Sequence, residues 1–302
     1  MTAAPWLWAV FTLIAAAAQT VRNATQRELT GKLGTVGATH VRFLFGLPFA
    51  CLFLLGVILV GGAALPHPGP VFWPWVLAGA LLQIAATALM LAAMGERSFV
   101  VAIAYIKTEP VQVALFGLVF LGDHVTPSMA AAILIATCGV VVMSLKSGAK
   151  SGIFAGDVMP TVLGLSAGAC FALSAIGYRG AILSLHDPNF VMAATFTVTI
   201  GLAIQTMLLT TWLMLRDRAV LEAIFRAWRP SLFAGFTGAL ASQFWFLGFA
   251  TATAASVRTL ALVEVLFAQA ISHFVFKQPV SAREGLGIVL IVVGVALLVW
   301  AY

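Results

Sequence analysis

Ten apolar stretches, most of them about twenty residues or longer, follow one another along this 302-residue chain with short polar connections between them. A helix needs about 20 apolar residues to cross the hydrocarbon core of a bilayer. The pattern therefore predicts ten transmembrane helices, which we number spans 1 to 10 in chain order. They lie at 6–25, 36–60, 71–94, 99–121, 127–145, 158–182, 189–214, 231–251, 255–276 and 284–301.

The composition excludes a water-soluble fold. Hydrophobic residues make up 62% of the chain and charged residues 9%, whereas soluble domains are about 45–50% apolar and about 25% charged. Long unbroken runs, rather than short alternating segments, also exclude an outer-membrane barrel. The predicted fold class is an all-α integral membrane protein. The net charge of +6 comes from basic residues in short loops, which is typical of topology signals and not of a nucleic-acid surface.

An internal repeat divides the chain. Shifted by 155 residues, 108–145 overlays 263–300 without a gap, and Glu109 falls on Glu264. The aligned glutamates argue against a chance match between apolar runs. The sequence therefore predicts two five-helix repeats.

The repeats predict the domain organisation. The first occupies 1–146, a linker follows at 147–157, and the second occupies 158–302. Five is an odd number, so the second repeat enters the membrane from the opposite side. The two copies then form an inverted pair around a central cavity, an architecture typical of secondary transporters.

Loop charges predict the orientation. Basic residues are concentrated in the loops that follow odd-numbered spans, and the opposite side has little beyond Arg179. The positive-inside rule then places those loops in the cytoplasm and both termini outside.

Two acidic side chains are predicted at mid-membrane depth, where charge is expensive and is therefore a functional hypothesis. Glu109 and Glu264 each lie about ten residues, or about 15 Å, into their spans. Lys107 is two residues shallower and points away from Glu109 around the helix, so its partner must be on another span.

Three arginines are harder to interpret. Arg42 is some six residues into span 2, an intermediate depth, whereas Arg22 and Arg258 lie within roughly one turn of their predicted span ends. Long side chains near helix ends can reach the interface, so we expect Arg22 and Arg258 to do so.

These charges suggest a binding or coupling site. The glutamates would bind a cationic or amino group or take up a proton, and Lys107 or Arg42 would contact a carboxylate or phosphate. The alternative is that Lys107 with Glu264, or Arg42 with Glu109, form ion pairs that only hold the bundle together. Further candidates at similar depth are Tyr105, Gln83, Gln243 and Trp245, although Gln83 and Gln243 equally suit interhelical hydrogen bonds.

Pro110, directly after the first glutamate, is expected to kink span 4 or to free a backbone carbonyl near the cavity. No phosphate-binding glycine loop, metal-ligand spacing or hydrolase motif is present in the sequence. We therefore predict no enzyme activity, no metal and no cofactor. An intramembrane enzyme and a non-transporting membrane scaffold are the alternatives from other classes.

The stretch EPVQVALFGLVFLGDHVTPS at 109–128, followed by a Gly-Val-rich helix, resembles the EamA-type drug/metabolite transporter superfamily. The resemblance covers the whole chain in architecture and is sharpest at 104–145 and 259–300. It implies export or exchange of small metabolites, often amino acids, including aromatic ones. It also implies a cavity lined by spans 1, 3, 4, 6, 8 and 9, and either gradient coupling or facilitated diffusion.

Two features depart from the family pattern. Val265 stands at the position equivalent to Pro110, and many members keep both termini in the cytoplasm, opposite to the charge rule here. The predicted function is a monomeric secondary transporter of a bacterial-type inner membrane that exports small metabolites such as amino acids. The expected partners are a small-molecule substrate, membrane lipid and possible coupling protons. The alternative is an importer or proton-coupled exchanger of cationic, amphipathic or lipid-like metabolites.

Overall fold

The computed structural model describes residues 4–62, 64–95, 105–144, 158–187, 189–274, 277 and 280–301. All regular structure within these ranges is helical, as the sequence predicted. The helices are α1 (Leu7–Leu44), α2 (Gly46–Gly61), α3 (Phe72–Gly95), α4 (Glu109–Leu121), α5 (Pro127–Ser144), α6 (Val158–Ser184), α7 (Phe190–Arg216), α8 (Arg218–Arg226), α9 (Trp228–Thr251), α10 (Ala254–Leu260), α11 (Val263–Phe274) and α12 (Ala282–Trp300).

Several of these helices have the length and apolar character of membrane spans, which confirms the prediction of a multi-span α-helical membrane protein. Two shorter apolar helices, Glu109–Leu121 and Pro127–Met143, accompany them. The six long apolar stretches of the described residues are Leu7–Gly61, Phe72–Ala93, Val162–Ser184, Phe190–Arg216, Trp228–Thr251 and Ala282–Trp300.

The helical stretch Leu7–Gly61 contains two spans, because the chain reverses at Gly34. Gly34 has φ 69° and ψ 175°, which interrupts the helical backbone within α1. The Gln26 side-chain amide donates a hydrogen bond of 2.9 Å to the carbonyl of Ala38, twelve residues later. A continuous helix would separate those two residues by about 18 Å. Span 1 therefore continues to residue 33, eight residues beyond its predicted end.

The remaining predicted spans are found with small shifts at their ends. Span 9 is divided into α10 and α11, and span 4 consists of α4 preceded by a short helical turn at 105–106. The predicted start of span 4 at 99 and the predicted linker at 147–157 lie outside the described residues.

Helix contacts follow the predicted two-fold relation between the halves. The helix α1 packs on α9, and α3 packs on α6. Exchanging the two repeats converts the first contact into the second, because span 1 corresponds to span 6 and span 8 to span 3. The contacts α2–α7 and α5–α12 join equivalent spans and map onto themselves.

The α5–α12 contact is closely packed through glycines. A Cβ atom at Gly139 would lie 2.8 Å from the carbonyl oxygen of Gly287, and one at Gly294 would lie 2.6 Å from the nitrogen of Ala136. Small residues allow helix backbones to approach closely within a membrane. Gly139 and Gly294 are equivalent under the 155-residue shift, so each repeat contributes the same residue to this contact.

Candidate functional site

Span 4 is broken just before Glu109. Tyr105 and Ile106 are helical, residues 107–108 form a turn, and α4 begins at Glu109. The turn has i→i−3 hydrogen bonds, from the Thr108 amide to the Tyr105 carbonyl at 3.1 Å and from the Val111 amide to the Thr108 carbonyl at 3.1 Å. Pro110 is the second residue of α4, where a helix tolerates its missing N–H group. The expected irregularity is therefore a break in the helix, with Pro110 on its carboxyl-terminal side.

Span 9 is broken at the equivalent place. Residues 261–262 separate α10 from α11, with hydrogen bonds from the Leu262 amide to the Thr259 carbonyl at 3.1 Å and from the Glu264 amide to the Ala261 carbonyl at 3.0 Å. The two breaks coincide within one residue under the 155-residue shift. No proline is present at the second break, so a proline is not required to interrupt this helix.

The acidic side chains follow the breaks and pair across the repeats. Glu109 and Glu264 both lie in the first turn of the helix after the break. Lys107 forms an ion pair with Glu264, and the Nε atom of Arg258 lies 3.1 Å from Oε1 of Glu109. Each acid therefore meets a base supplied by the other half of the chain. Of the two ion pairs considered from the sequence, Lys107–Glu264 is present.

Span 1 and α9 complete the surroundings of these charges. The Gln19 side-chain amide donates to Oε2 of Glu264 at 3.1 Å, and the Trp245 indole N–H donates to Oε1 of Gln19 at 3.1 Å. The Arg258 guanidinium lies 4.4 Å from the centre of the Trp245 ring, within range of a cation–π interaction. Trp245, which the sequence predicted as a site residue, thus contacts both Gln19 and Arg258.

A small cavity is present between the broken helices. All four charged side chains are largely buried, with 8–20% of their surface exposed. We call Lys107, Glu109, Arg258 and Glu264, together with Gln19, the ion-pair cluster. The cavity is lined by Gln19, Lys107, Glu109, Pro110, Arg258, Ala261, Leu262 and Glu264.

Arg258 and Arg22 do not reach the interface, contrary to the expectation from their positions. Arg258 is 8% exposed and Arg22 is 1% exposed. The prediction was wrong for Arg22 because span 1 continues to residue 33, which places Arg22 in the middle of its helix. It was wrong for Arg258 because Glu109, from the other repeat, provides a buried partner.

Arg42 lies apart from Glu109, so the second ion pair considered from the sequence is absent. The Arg42 guanidinium donates to the hydroxyl groups of Thr87 at 3.3 Å and Ser242 at 3.5 Å. Its side-chain carbons pack with those of Arg22 around Gly238, where a Cβ atom would lie 3.2 Å from Arg42 and 3.4 Å from Arg22. The two arginines are thus neighbours in the interior.

The predicted glutamines make interhelical hydrogen bonds. Oε1 of Gln83 accepts from the side-chain amide of Gln205 at 2.8 Å and from the Tyr178 hydroxyl at 3.3 Å. The Gln243 side-chain amide donates to the Thr195 hydroxyl at 2.7 Å. Both side chains therefore already have partners in the bundle.

Tyr105 lies at the break itself, half-buried, and its carbonyl accepts from the Thr108 hydroxyl at 2.7 Å. Sequence reasoning missed Gln19, and it assigned Arg22 and Arg258 to the membrane interface and not to the site. Their common signal is a polar residue inside an apolar stretch, which the predicted span ends obscured.

Comparison with known proteins identifies the family. A model of the EamA-like transporter family matches residues 6–145 and again 159–300. No curated protein matches the chain. One solved crystal structure, titled only as that of a protein, superposes with a TM-score of 0.69 at 16% sequence identity, covering 97% of this chain and 94% of the other. Identity this low shows a shared fold alone. Two family matches over most of the chain show that it belongs to the EamA-like transporter family and is a membrane transporter of the drug/metabolite transporter type.

Proposed function

We propose that this protein is a secondary transporter that exports small metabolites such as amino acids, including aromatic ones, by alternating access. The ion-pair cluster is the observation that supports this most strongly. It lies where two equivalent spans are broken, beside a cavity, and each ion pair joins one repeat to the other. Binding sites at interrupted helices between inverted repeats are typical of secondary transporters.

The two ion pairs each join one repeat to the other, and this suggests how substrate binding is linked to conformational change. A substrate amino group can replace Lys107 as the partner of Glu264, and a substrate carboxylate can replace Glu264 as the partner of Lys107. Either exchange removes a direct bond between the two repeats. A ligand shifts a conformational equilibrium only through different affinities for the two states. Substrate that substitutes for an interrepeat partner has such a difference in affinity.

Proton-coupled exchange or import is the second candidate, and the same two acids favour it. Protonation of Glu109 or Glu264 would break the corresponding ion pair as a substrate cation does. Glu109→Gln and Glu264→Gln separate these cases in transport assays across a pH range. Proton coupling through these acids requires that at least one variant lose the pH dependence. Unchanged pH profiles in both would exclude it.

Counterflow in proteoliposomes tests the proposal directly. Vesicles preloaded with unlabelled amino acid should accumulate the labelled one when wild-type protein is present. Glu264→Gln should reduce this flux by at least about ten-fold, as expected for loss of a charge-assisted contact. Glu222→Gln, on exposed α8, is the matched control and should transport normally. Folded protein that moves none of the tested solutes would favour the membrane-scaffold alternative.

We also propose a monomer in a bacterial-type inner membrane, with repeats bounded at 1–146 and 158–302. The charge asymmetry of the loops supports termini outside, and the exception on that side, Arg179, pairs with Asp123 at 3.4 Å. Membership of the family favours cytoplasmic termini instead. Labelling of a terminal tag with a membrane-impermeant reagent in intact cells decides between the two orientations and, with them, the direction of transport.

A further inference from the structure

Two arginines, Arg22 and Arg42, are buried in the interior of the helix bundle. Arg22 is 1% exposed and Arg42 is 2% exposed. Among the described residues, neither forms an ion pair with a carboxylate. Nη2 of Arg22 donates to the side-chain oxygen of Asn23 at 2.7 Å, whereas Nε and Nη1 of Arg22 and Nε of Arg42 have no hydrogen-bond partner among the described residues. The bonds that Arg42 does make, to the hydroxyl groups of Thr87 and Ser242, are long at 3.3 and 3.5 Å.

The arginine pair and the ion-pair cluster belong to one electrostatic region. Arg22 lies one turn after Gln19 on the same helix, and Gln19 donates a hydrogen bond to Glu264 of the ion-pair cluster. Four cations, Arg22, Arg42, Lys107 and Arg258, therefore share this region with two acids that pair with them, Glu109 and Glu264. The described interior carries an excess of two positive charges.

A purely structural role does not account for this excess. An unpaired charge inside a membrane protein costs several kcal/mol, and such residues mark substrate or ion pathways. Arg22 is 1% exposed and lies inside the helix bundle, so its charge is held away from bulk water. Two guanidinium groups with free N–H donors match the oxygen atoms of a carboxylate or phosphate.

Gly238 has no side chain, and the space beside it is occupied by the side chains of Arg22 and Arg42. Their aliphatic carbons lie 3.2 and 3.4 Å from the point that a Cβ of Gly238 would occupy. This glycine lies seven residues, or about two turns, before Trp245 on α9, and Arg22 lies one turn after Gln19 on span 1. The arginine pair is therefore about 5–10 Å along the same two helices from the ion-pair cluster.

We propose that the transported substrate is a small organic anion whose carboxylate or phosphate group binds between Arg22 and Arg42. This inference rests on the proposed transport function and narrows its substrate class to anions, which excludes the zwitterionic aromatic amino acids. A net negative molecule offsets part or all of the excess charge, whereas a neutral zwitterion does not. The remainder of the molecule extends toward Lys107 and Glu264. Acidic amino acids, dicarboxylates and phosphate monoesters have the required charge and length.

Binding measurements on the purified full-length protein in zwitterionic lipid nanodiscs test this inference without requiring transport. The probes are succinate, glycerol phosphate, phenylalanine as a zwitterion and phenethylamine as a cation, titrated by calorimetry. We expect at least one anion to bind, and we expect Arg22→Gln and Arg42→Gln to weaken it by about 10- to 100-fold. Arg42→Lys should recover part of the affinity, because it keeps the charge and loses the planar fork. Arg226→Gln, on exposed α8, is the matched control and should bind as wild type does.

The outcomes separate this inference from the transport proposal. Anion binding that depends on both arginines, without flux in proteoliposomes, would support the anion site and contradict transport. Flux of phenylalanine or phenethylamine, without binding of any anion, would support transport and overturn the anion inference. Anion binding that survives in both glutamine variants, or no binding of either anion by wild type, would also overturn it. Retained α-helical circular dichroism and a monodisperse elution profile confirm that the variants are folded.

Discussion

Two groups of buried charges lie in the same interior and differ in one respect. In the ion-pair cluster each acid has a base from the opposite repeat, Lys107 with Glu264 and Arg258 with Glu109. In the arginine pair, Arg22 and Arg42 are at least as deeply buried and have no acidic partner among the described residues. The first group therefore holds the repeats together in the structure as it stands. The second is incomplete without an added anion.

This difference predicts that removing a charge lowers the stability of the protein at the ion-pair cluster and raises it at the arginine pair. Removal of one member of a buried ion pair leaves an uncompensated charge and is destabilising. Removal of a cation that has no partner relieves a desolvation penalty and is stabilising. Stability and ligand binding should therefore change together at the ion-pair cluster and in opposite directions at the arginine pair.

The largest effect is expected for Arg258→Gln, which leaves Glu109 buried without its partner. The free energy of unfolding should fall by about 3–5 kcal/mol, measured by unfolding in mixed detergent micelles. The double variant Glu109→Gln with Arg258→Gln should recover most of this loss. Arg226→Gln breaks an exposed pair with Glu222 and should change stability by less than about 1 kcal/mol. Equal losses in the buried and exposed variants would contradict the structural role of the cluster.

Arg42→Met should instead stabilise the protein. In anion-free buffer the free energy of unfolding should rise by about 1–4 kcal/mol, the range found when buried charged groups are exchanged for well-packed apolar side chains. The same unfolding assay measures it, and succinate should stabilise wild type but not this variant. A loss of stability as large as that of Arg258→Gln would mean that Arg42 has a partner in the protein, and the comparison would fail.

Gly287→Ala measures a steric effect in the same fold without changing any charge. Its new Cβ would lie 2.6 Å from the carbonyl oxygen of Gly139 and would overlap Cγ of Met143, so α5 and α12 must separate. We expect a loss of about 1–3 kcal/mol. Gly285→Ala, two residues earlier on the same helix, meets open space and should not be destabilising. Anion affinity should be unchanged in both, which distinguishes a general loss of stability from a defect at the arginine pair.

The smallest effect is expected for Pro110→Ala. Val265 occupies the equivalent position in span 9, and that span is broken without a proline. The turn at 107–108 should therefore persist, with a change in stability below about 1 kcal/mol, because proline in the first turn of a helix costs little. A large loss of stability together with loss of the Lys107–Glu264 pair, measured by a double-mutant cycle, would show that the proline maintains the break.

Periodicity and apolar length were sufficient to predict the helical class, a multi-span membrane fold and the repeat. They also placed Glu109 and Glu264 at equivalent positions along their spans, because duplication preserves position along a helix. They failed at Arg22, since the polar residues between 19 and 32 resemble a loop in composition although span 1 remains helical there. They could not supply the Arg258–Glu109 contact, which depends on how two spans from different repeats pack against each other.

The two ion pairs between the repeats also affect the relative free energies of the conformations of the protein without substrate. The acids are equivalent by duplication, but their partners are a lysine in the first half and an arginine in the second, and only the arginine stacks on Trp245. Inward- and outward-facing states of an inverted repeat exchange the roles of the two halves. In the alternating-access mechanism proposed above, unlike partners would make those states unequal in free energy, so an unloaded molecule would populate one of them more than the other.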